Sequence, residues 1–146
     1  MMLDNDLLCS DDQTLAFNIG NAASTNVIDL TKVGLGRGEP IKVFCQMTAD
    51  FDSSGDAGTL QIKLQTDSAA AFNVASVDLV DTGALAQATV VKGYRPIDIY
   101  LPNNVKRYLR FYYTVGTANG TGGTITAGLI LDQQTNDDPV ALGLTS

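Results

Sequence analysis

Apolar and polar residues alternate with a period of two through most segments of this chain, which is the signature of strands with one face in a core. Ile41, Val43, Cys45 and Met47 share one side of an extended segment and Lys42 and Gln46 the other, with Phe44 interrupting the polar side. Leu60, Ile62 and Leu64 alternate with Gln61, Lys63 and Gln65. The strongest strand is predicted over residues 106–115, with Leu109, Phe111, Tyr113 and Val115 on one face and Tyr108, Arg110, Tyr112 and Thr114 on the other. Residues 125–131 read as its partner, giving a hairpin whose long tip is the glycine-rich stretch 116–123. A β-branched run at 25–31 and shorter segments at 74–80, 88–91 and 97–101 complete the set, with Pro96 and Pro102 suiting strand ends or edges. Helical periodicity is confined to single-turn candidates at 69–72 and 84–88.

About eight short strands separated by turns predict an all-β fold, an antiparallel two-sheet sandwich of jelly-roll type. One domain is expected over residues 1–132, with residues 1–20 as an N-terminal arm and 133–146 as a C-terminal tail. The length of 146 residues and mass of 15.4 kDa suit a single domain with a self-sufficient core.

Charge narrows the range of partners. Nine Lys and Arg stand against sixteen Asp and Glu, a net charge of −7. Such a surface repels phosphate backbones and anionic membranes, so neither nucleic acid nor membrane is expected as a partner. Histidine is absent, which removes the commonest general base and metal ligand together with the Ser-His-Asp and Cys-His arrangements. Cys9 and Cys45 have no Cys-x-x-Cys spacing and are expected to be reduced and buried. Asp4 and Asp6 stand where a secretory leader would be basic, and no apolar run approaches the roughly 20 residues of a membrane helix. A protein made and kept in solution is expected.

Several local patterns resemble chemical sites without completing them. Asp50-x-Asp52-x-Ser54-Gly55 opens like a calcium loop, but Gln61 stands where a bidentate Glu belongs, and a solvated hairpin turn is the plainer reading. Gly34-Leu-Gly-Arg-Gly38 lacks the Gly-Lys-Ser/Thr of a phosphate loop and reads as a flexible turn. Asn119-Gly-Thr121 matches a glycosylation acceptor but is explained by turn propensity. Asp78 and Asp98 are the carboxylate pair an enzyme would need, if folding brought them together. The expectation is no catalytic residue, no cofactor and no metal. The outward stripe Tyr108, Arg110 and Tyr112, headed by Lys106 and Arg107, is a candidate contact face, because Tyr and Arg are enriched at protein interfaces. Cross-strand pairing on a wet sheet face accounts for it equally well.

Met2-Leu-Asp-Asn-Asp-Leu-Leu8 with Ser10-Asp11, Ala23-Ser-Thr-Asn-Val-Ile-Asp-Leu30, Val105-Lys-Arg-Tyr-Leu-Arg110 with Tyr113-Thr-Val115, and Ile125-Thr-Ala-Gly-Leu-Ile-Leu-Asp132 together resemble the capsid cement, or decoration, proteins of short-tailed bacteriophages. The resemblance implies a jelly-roll homo-oligomer, trimer or dimer, on the outer capsid surface of the virion. Synthesised in the bacterial cytoplasm, it would bridge neighbouring major capsid proteins. The pattern is strictest at Leu3, Leu7 and Leu8 and at Lys106, Arg107 and Tyr108. The three leucines lie ahead of the confident strands, so strand addition of this arm to a neighbouring sheet is expected, with the domain folded without residues 1–10. The alternative from another class is a carbohydrate- or receptor-binding jelly roll using its tyrosines and the Asp50 loop. The lack of Trp weakens that alternative.

Overall fold

The structure is a computed structural model that describes residues 5–31 and 41–131. Leu3, the Gly34 to Gly38 turn and the tail from residue 133 lie outside the described residues. Ten strands follow in chain order: β1 (Leu8–Thr14), β2 (Gly20–Ala23), β3 (Ile28–Asp29), β4 (Ile41–Ser53), β5 (Thr59–Asp67), β6 (Val77–Asp81), β7 (Leu85–Ala86), β8 (Ile97–Tyr100), β9 (Tyr108–Gly116) and β10 (Gly120–Leu131). Single 3-10 turns occupy Asn5–Leu7, Ser54–Asp56 and Gln87–Thr89. No helix among the described residues is long and apolar enough to cross a membrane.

All pairings are antiparallel. The first sheet has the order β1-β10-β4-β8 and the second β2-β9-β5-β6, with β3 also on β9 and β7 also on β5. Strands adjacent in sequence therefore mostly lie in opposite sheets, which is the winding of a jelly roll. The predicted fold class holds, and the same winding overturns the predicted hairpin. β9 belongs to the second sheet and β10 to the first, joined by a crossover of Thr117, Ala118 and Asn119 rather than a long tip. That crossover is tied to its surroundings: Gly120 N–H donates to Phe17 O at 2.9 Å, and Ile19 N–H donates to Asn119 Oδ1 at 2.9 Å. A Cβ on Gly120 would come within 2.4 Å of Leu15 O, so only glycine allows the chain to pass there.

The core lies between the sheets. Val43, Cys45, Met47 and Phe51 of β4 meet Leu60, Ile62 and Leu64 of β5, Leu109, Phe111, Tyr113 and Val115 of β9, and Ile125, Ala127 and Leu129 of β10. Each large aliphatic or aromatic side chain so buried contributes about 2 kcal/mol of transfer free energy. Phe44, the interruption in the polar side of β4, is buried with Leu8 and Ile130 in a separate small cluster. Both cysteines are free and buried, and burial pushes the Cys9 thiol up to about 12 and raises that of Cys45.

Other boundaries shift for local reasons. Residues 88–91 form no strand: Gln87–Thr89 is a single 3-10 turn, and Val90 enters the core where its carbonyl accepts Phe51 N–H at 3.0 Å. Only Ile28–Asp29 of the 25–31 run pairs, and β6 begins at Val77, leaving Val74 exposed. The 84–88 candidate supplies β7 and part of that turn, while 69–72 closes one turn through Phe72 N–H to Ala69 O at 3.1 Å.

The N-terminal expectation also needs correction. Leu7 and Leu8 are buried, and Leu8–Thr14 is an integral edge strand of the first sheet rather than an arm. Period-two reading misses it because Asp11 and Asp12 follow the apolar start and two register shifts break the alternation. Inside the core Ser10 Oγ lies 2.7 Å from the Tyr113 hydroxyl, a polar tie between the two sheets, and donates to Gln13 Oε1 at 2.7 Å. Ser10→Ala is expected to leave the phenol without its partner and lower unfolding stability by about 1–3 kcal/mol in urea titrations. Deleting residues 1–10 strips Leu7, Leu8, Cys9 and Ser10 from the core, and is expected to abolish the cooperative thermal transition rather than leave a folded domain.

Candidate functional site

Tyr108, Arg110, Tyr112 and Thr114 stand on the outer side of β9 because Leu109, Phe111, Tyr113 and Val115 occupy its inner side, all 0% exposed. The outer residues are half-buried, and their neighbours come from β5 and from the loop that joins β5 to β6. In register, Lys63 pairs with Tyr112, Gln65 with Arg110 and Asp67 with Tyr108.

Arg110 is the most constrained of these side chains. Its Nε donates to Gln65 Oε1 at 2.9 Å, and its guanidinium lies 4.2 Å from the ring centre of Phe72 and 5.0 Å from that of Tyr112. Cation–π attraction of this kind contributes about 0.5–1 kcal/mol at partly exposed sites. Phe72 reaches over the face from the β5–β6 loop with a left-handed φ of 52°. A non-glycine residue in that region costs on the order of 1 kcal/mol.

Asp67 holds the loop in place. Its carboxylate is fully buried and accepts N–H bonds from Ser68, Ala69, Val74 and Ala75, together with the Ser76 hydroxyl at 3.0 Å. Burial opposes ionisation of this group, but the ring of donors outweighs it and brings its pKa down to about 2. Lys106 closes the other end, with Nζ donating to Ala75 O at 2.5 Å and its backbone N–H to Thr66 Oγ1 at 2.8 Å.

Arg107 is fixed differently. It forms a bidentate pair with Asp29, Nε to Oδ1 at 3.0 Å and Nη2 to Oδ2 at 2.9 Å, and its guanidinium sits 4.9 Å from the Tyr108 ring. The hydrogen bonds from Arg107 hold the Asp29 carboxyl well below the usual carboxylate range. On β5 and β6, Lys63 Nζ reaches Asp78 at 2.9 Å and Asp81 at 3.8 Å, while Gln65 Nε2 donates to Asp78 Oδ1 at 2.8 Å. The face is therefore a polar and aromatic lattice whose members are held before any partner arrives. Such a surface loses less side-chain entropy on docking than an unrestrained one.

The remaining candidates do not converge on one place. Asp78 lies on the second sheet with Lys63 and Asp98 on the first with Lys42 at 2.9 Å, so the carboxylate pair is not brought together. The calcium-like sequence is not a loop at its start, because β4 continues to Ser53, and β5 then enters the other sheet instead of forming a hairpin. Asp50 Oδ1 accepts Lys92 N–H at 2.6 Å, while Gln87 Nε2 spans Asp52 at 3.3 Å and Asp56 at 3.1 Å. No group of three or more Cys, Asp or Glu suited to a metal occurs among the described residues. A polar depression of about 380 Å³ opens beside β1, lined by Asp6, Leu8, Thr25, Asn26 and Val27.

Of the sequence-predicted contact residues, the structure gathers Tyr108, Arg110 and Tyr112 on one face with Lys106 and Arg107 at its head, and places Leu7 and Leu8 inside the domain. Phe72, Gln65 and Asp67 belong to the same face and were missed. The outward parity of Gln65 opposite Arg110 was the available signal for that pair.

The winding and this face define an antiparallel jelly-roll sandwich with a pre-ordered arginine–tyrosine surface. The chain belongs to the Bbp16 family, whose sequence profile matches residues 10–129 and points to a phage, virion-related protein. No curated protein matches it significantly.

The Asp67 carboxyl is lowered in the folded state, so its ionisation stabilises the fold above pH about 4, and that contribution disappears as pH falls towards about 2. Asp29, Asp78 and Asp81 shift in the same direction. Asp67→Asn is expected to lower the melting temperature at pH 7 and to flatten its fall between about pH 4 and 2, as calorimetry over that range would show.

Proposed function

We propose that this protein is a capsid cement protein. It binds the outer surface of a phage head and bridges neighbouring major capsid proteins, acting as a homo-oligomer with no chemical step. The observation that carries this reading is the family match across residues 10–129, a phage-related assignment that coincides with a jelly-roll domain. The face of Lys106, Arg107, Tyr108, Arg110 and Tyr112 is the capsid contact in this reading.

The physics of the role suits such a surface. Many copies engage one shell, so contacts that are individually modest combine through effective concentration into resistance to rupture. Arg and Tyr supply much of the energy at protein contacts, and the bracing of Arg110 by Phe72, Tyr112 and Gln65 reduces the ordering cost of docking.

Incubation with expanded, DNA-filled heads tests the proposal. The protein is expected to co-sediment with heads at saturable occupancy and to raise the temperature at which they release DNA. An Arg110→Ala, Tyr112→Ala double variant is expected to bind at least about thirtyfold more weakly, the equivalent of a loss of about 2 kcal/mol. Wild-type protein that neither sediments with heads nor delays their rupture would overturn it.

A further inference from the structure

The four outer borders of the two sheets are not protected alike. β1 is broken by two register shifts, and its Cys9 carbonyl accepts Asn26 N–H at 2.8 Å. β2 and β3 share one border as short separate pieces, and Gln13 Nε2 takes the Ala23 carbonyl at 2.9 Å. β6 carries Asp78 and Asp81, which would set like charges against a second strand. β8 is as short as β2 and carries Asp98, but it pairs with β4 in unbroken register and its one carboxylate is offset by Lys42 and Arg95. It ends the first sheet, no described strand lies beyond it, and its Ile99 and Tyr100 are 37% and 61% exposed.

The register fixes which groups β8 offers. Leu101 N–H donates to Ile41 O at 2.8 Å, and β8 continues that pairing with Ile99 opposite Val43 and Ile97 opposite Cys45. Residues 97, 99 and 101 therefore turn their backbone groups towards β4, and Asp98 and Tyr100 turn theirs outward. Ile99 shares the inner side with Ile97, while Asp98 and Tyr100 share the outer side.

We propose that β8 is a self-pairing edge. Two copies of this chain join antiparallel, Asp98 of each opposite Tyr100 of the other, with the two Ile99 side chains meeting on the two-fold axis. Proline selects this register. Centring the pair on Tyr100 sets Asp98 against Pro102, and centring it on Asp98 sets Tyr100 against Pro96, in both cases against a residue with no N–H. The second of these also opposes Asp98 to Asp98. Only the register centred on Ile99 satisfies every outward group of both strands. The same two prolines limit the edge to a short strand, which matches an identical short strand better than a long arm. Charge permits the approach, since Lys42 at 2.9 Å and Arg95 at 3.8 Å offset Asp98 on each copy. The pair joins the two four-stranded sheets into one and covers both exposed Ile99 side chains.

Light scattering and sedimentation velocity on the full chain test this. Wild type is expected to show twice the single-chain mass at high micromolar concentration. Ile99→Lys, which sets two cations on the axis, is expected to return it to the single-chain mass while keeping a cooperative unfolding transition, its midpoint lowered by the lost association. Ile99→Cys is expected to cross-link under mild oxidation, because directly opposed residues of this pair type lie about 4.5 Å apart at Cα, within disulfide reach. The buried native thiols do not compete, and Val91→Cys, exposed but off β8, is expected not to cross-link. A single-chain mass for wild type at all concentrations overturns the proposal, as does a dimer that survives Ile99→Lys or fails to cross-link through position 99. Head binding by a monomeric wild type would sink this pairing and leave the proposed head-surface role standing without its homo-oligomer, and a dimer that ignores heads would do the reverse.

Discussion

β9 carries two surfaces at once, and the alternation of side chains along an extended chain makes each depend on the other. Leu109, Phe111, Tyr113 and Val115 are completely buried between the sheets, so the strand cannot slip by one residue without expelling four core side chains into water. That constraint is what holds Tyr108, Arg110 and Tyr112 outward. The outer face therefore needs no separate stabilisation of its position: the apolar side fixes the height, spacing and direction of the polar side. β5 acts in the same way, with Leu60, Ile62 and Leu64 inward presenting Gln61, Lys63 and Gln65 beside the β9 residues.

The β5–β6 loop adds what strand parity cannot provide. A single buried carboxylate, Asp67, gathers four backbone N–H groups and a hydroxyl, which lets the loop turn back over the sheet and deliver Phe72 onto Arg110. The left-handed φ of Phe72 is the local cost of this arrangement, and the donors around Asp67 with the cation–π contact offset it. Arg110 is thereby held in one orientation, with rings on two sides and an amide oxygen on its Nε.

Much of this was legible along the chain, and what was not has physical causes. Period two identified β4, β5 and β9, and it predicted the outward stripe, because those properties depend on local chain geometry alone. It failed for β9 and β10 as a pair. Adjacent long strands joined through glycines read as a hairpin, yet the requirement here is for Gly120 to pass Leu15 O and for three residues to step between sheets, a relation set by the distant segment 15–19. β1 looks like an arm along the chain because Asp11 and Asp12 mask a strand whose first residues enter the core, and because its bulges destroy the alternation. At the site, Tyr108, Arg110 and Tyr112 were visible, whereas Phe72 and Asp67 were not. Their contribution depends on a loop folding across a neighbouring strand, which no local period encodes.

The two outward-facing regions differ in how they resist the wrong partner. The β9 face buries its strand hydrogen bonds between β5 on one side and β2 and β3 on the other, so any partner must bind through side chains, and the lattice of Arg107 with Asp29 and Lys63 with Asp78 and Asp81 admits only a complementary pattern of charge. β8 offers backbone, which is indifferent to sequence, and there selectivity rests on strand length and on the missing N–H groups of Pro96 and Pro102. The proposed role, with many copies on one surface, calls for both kinds of restraint. Side-chain recognition chooses what it binds, and a short, proline-bounded edge keeps backbone pairing from running on into an open-ended aggregate.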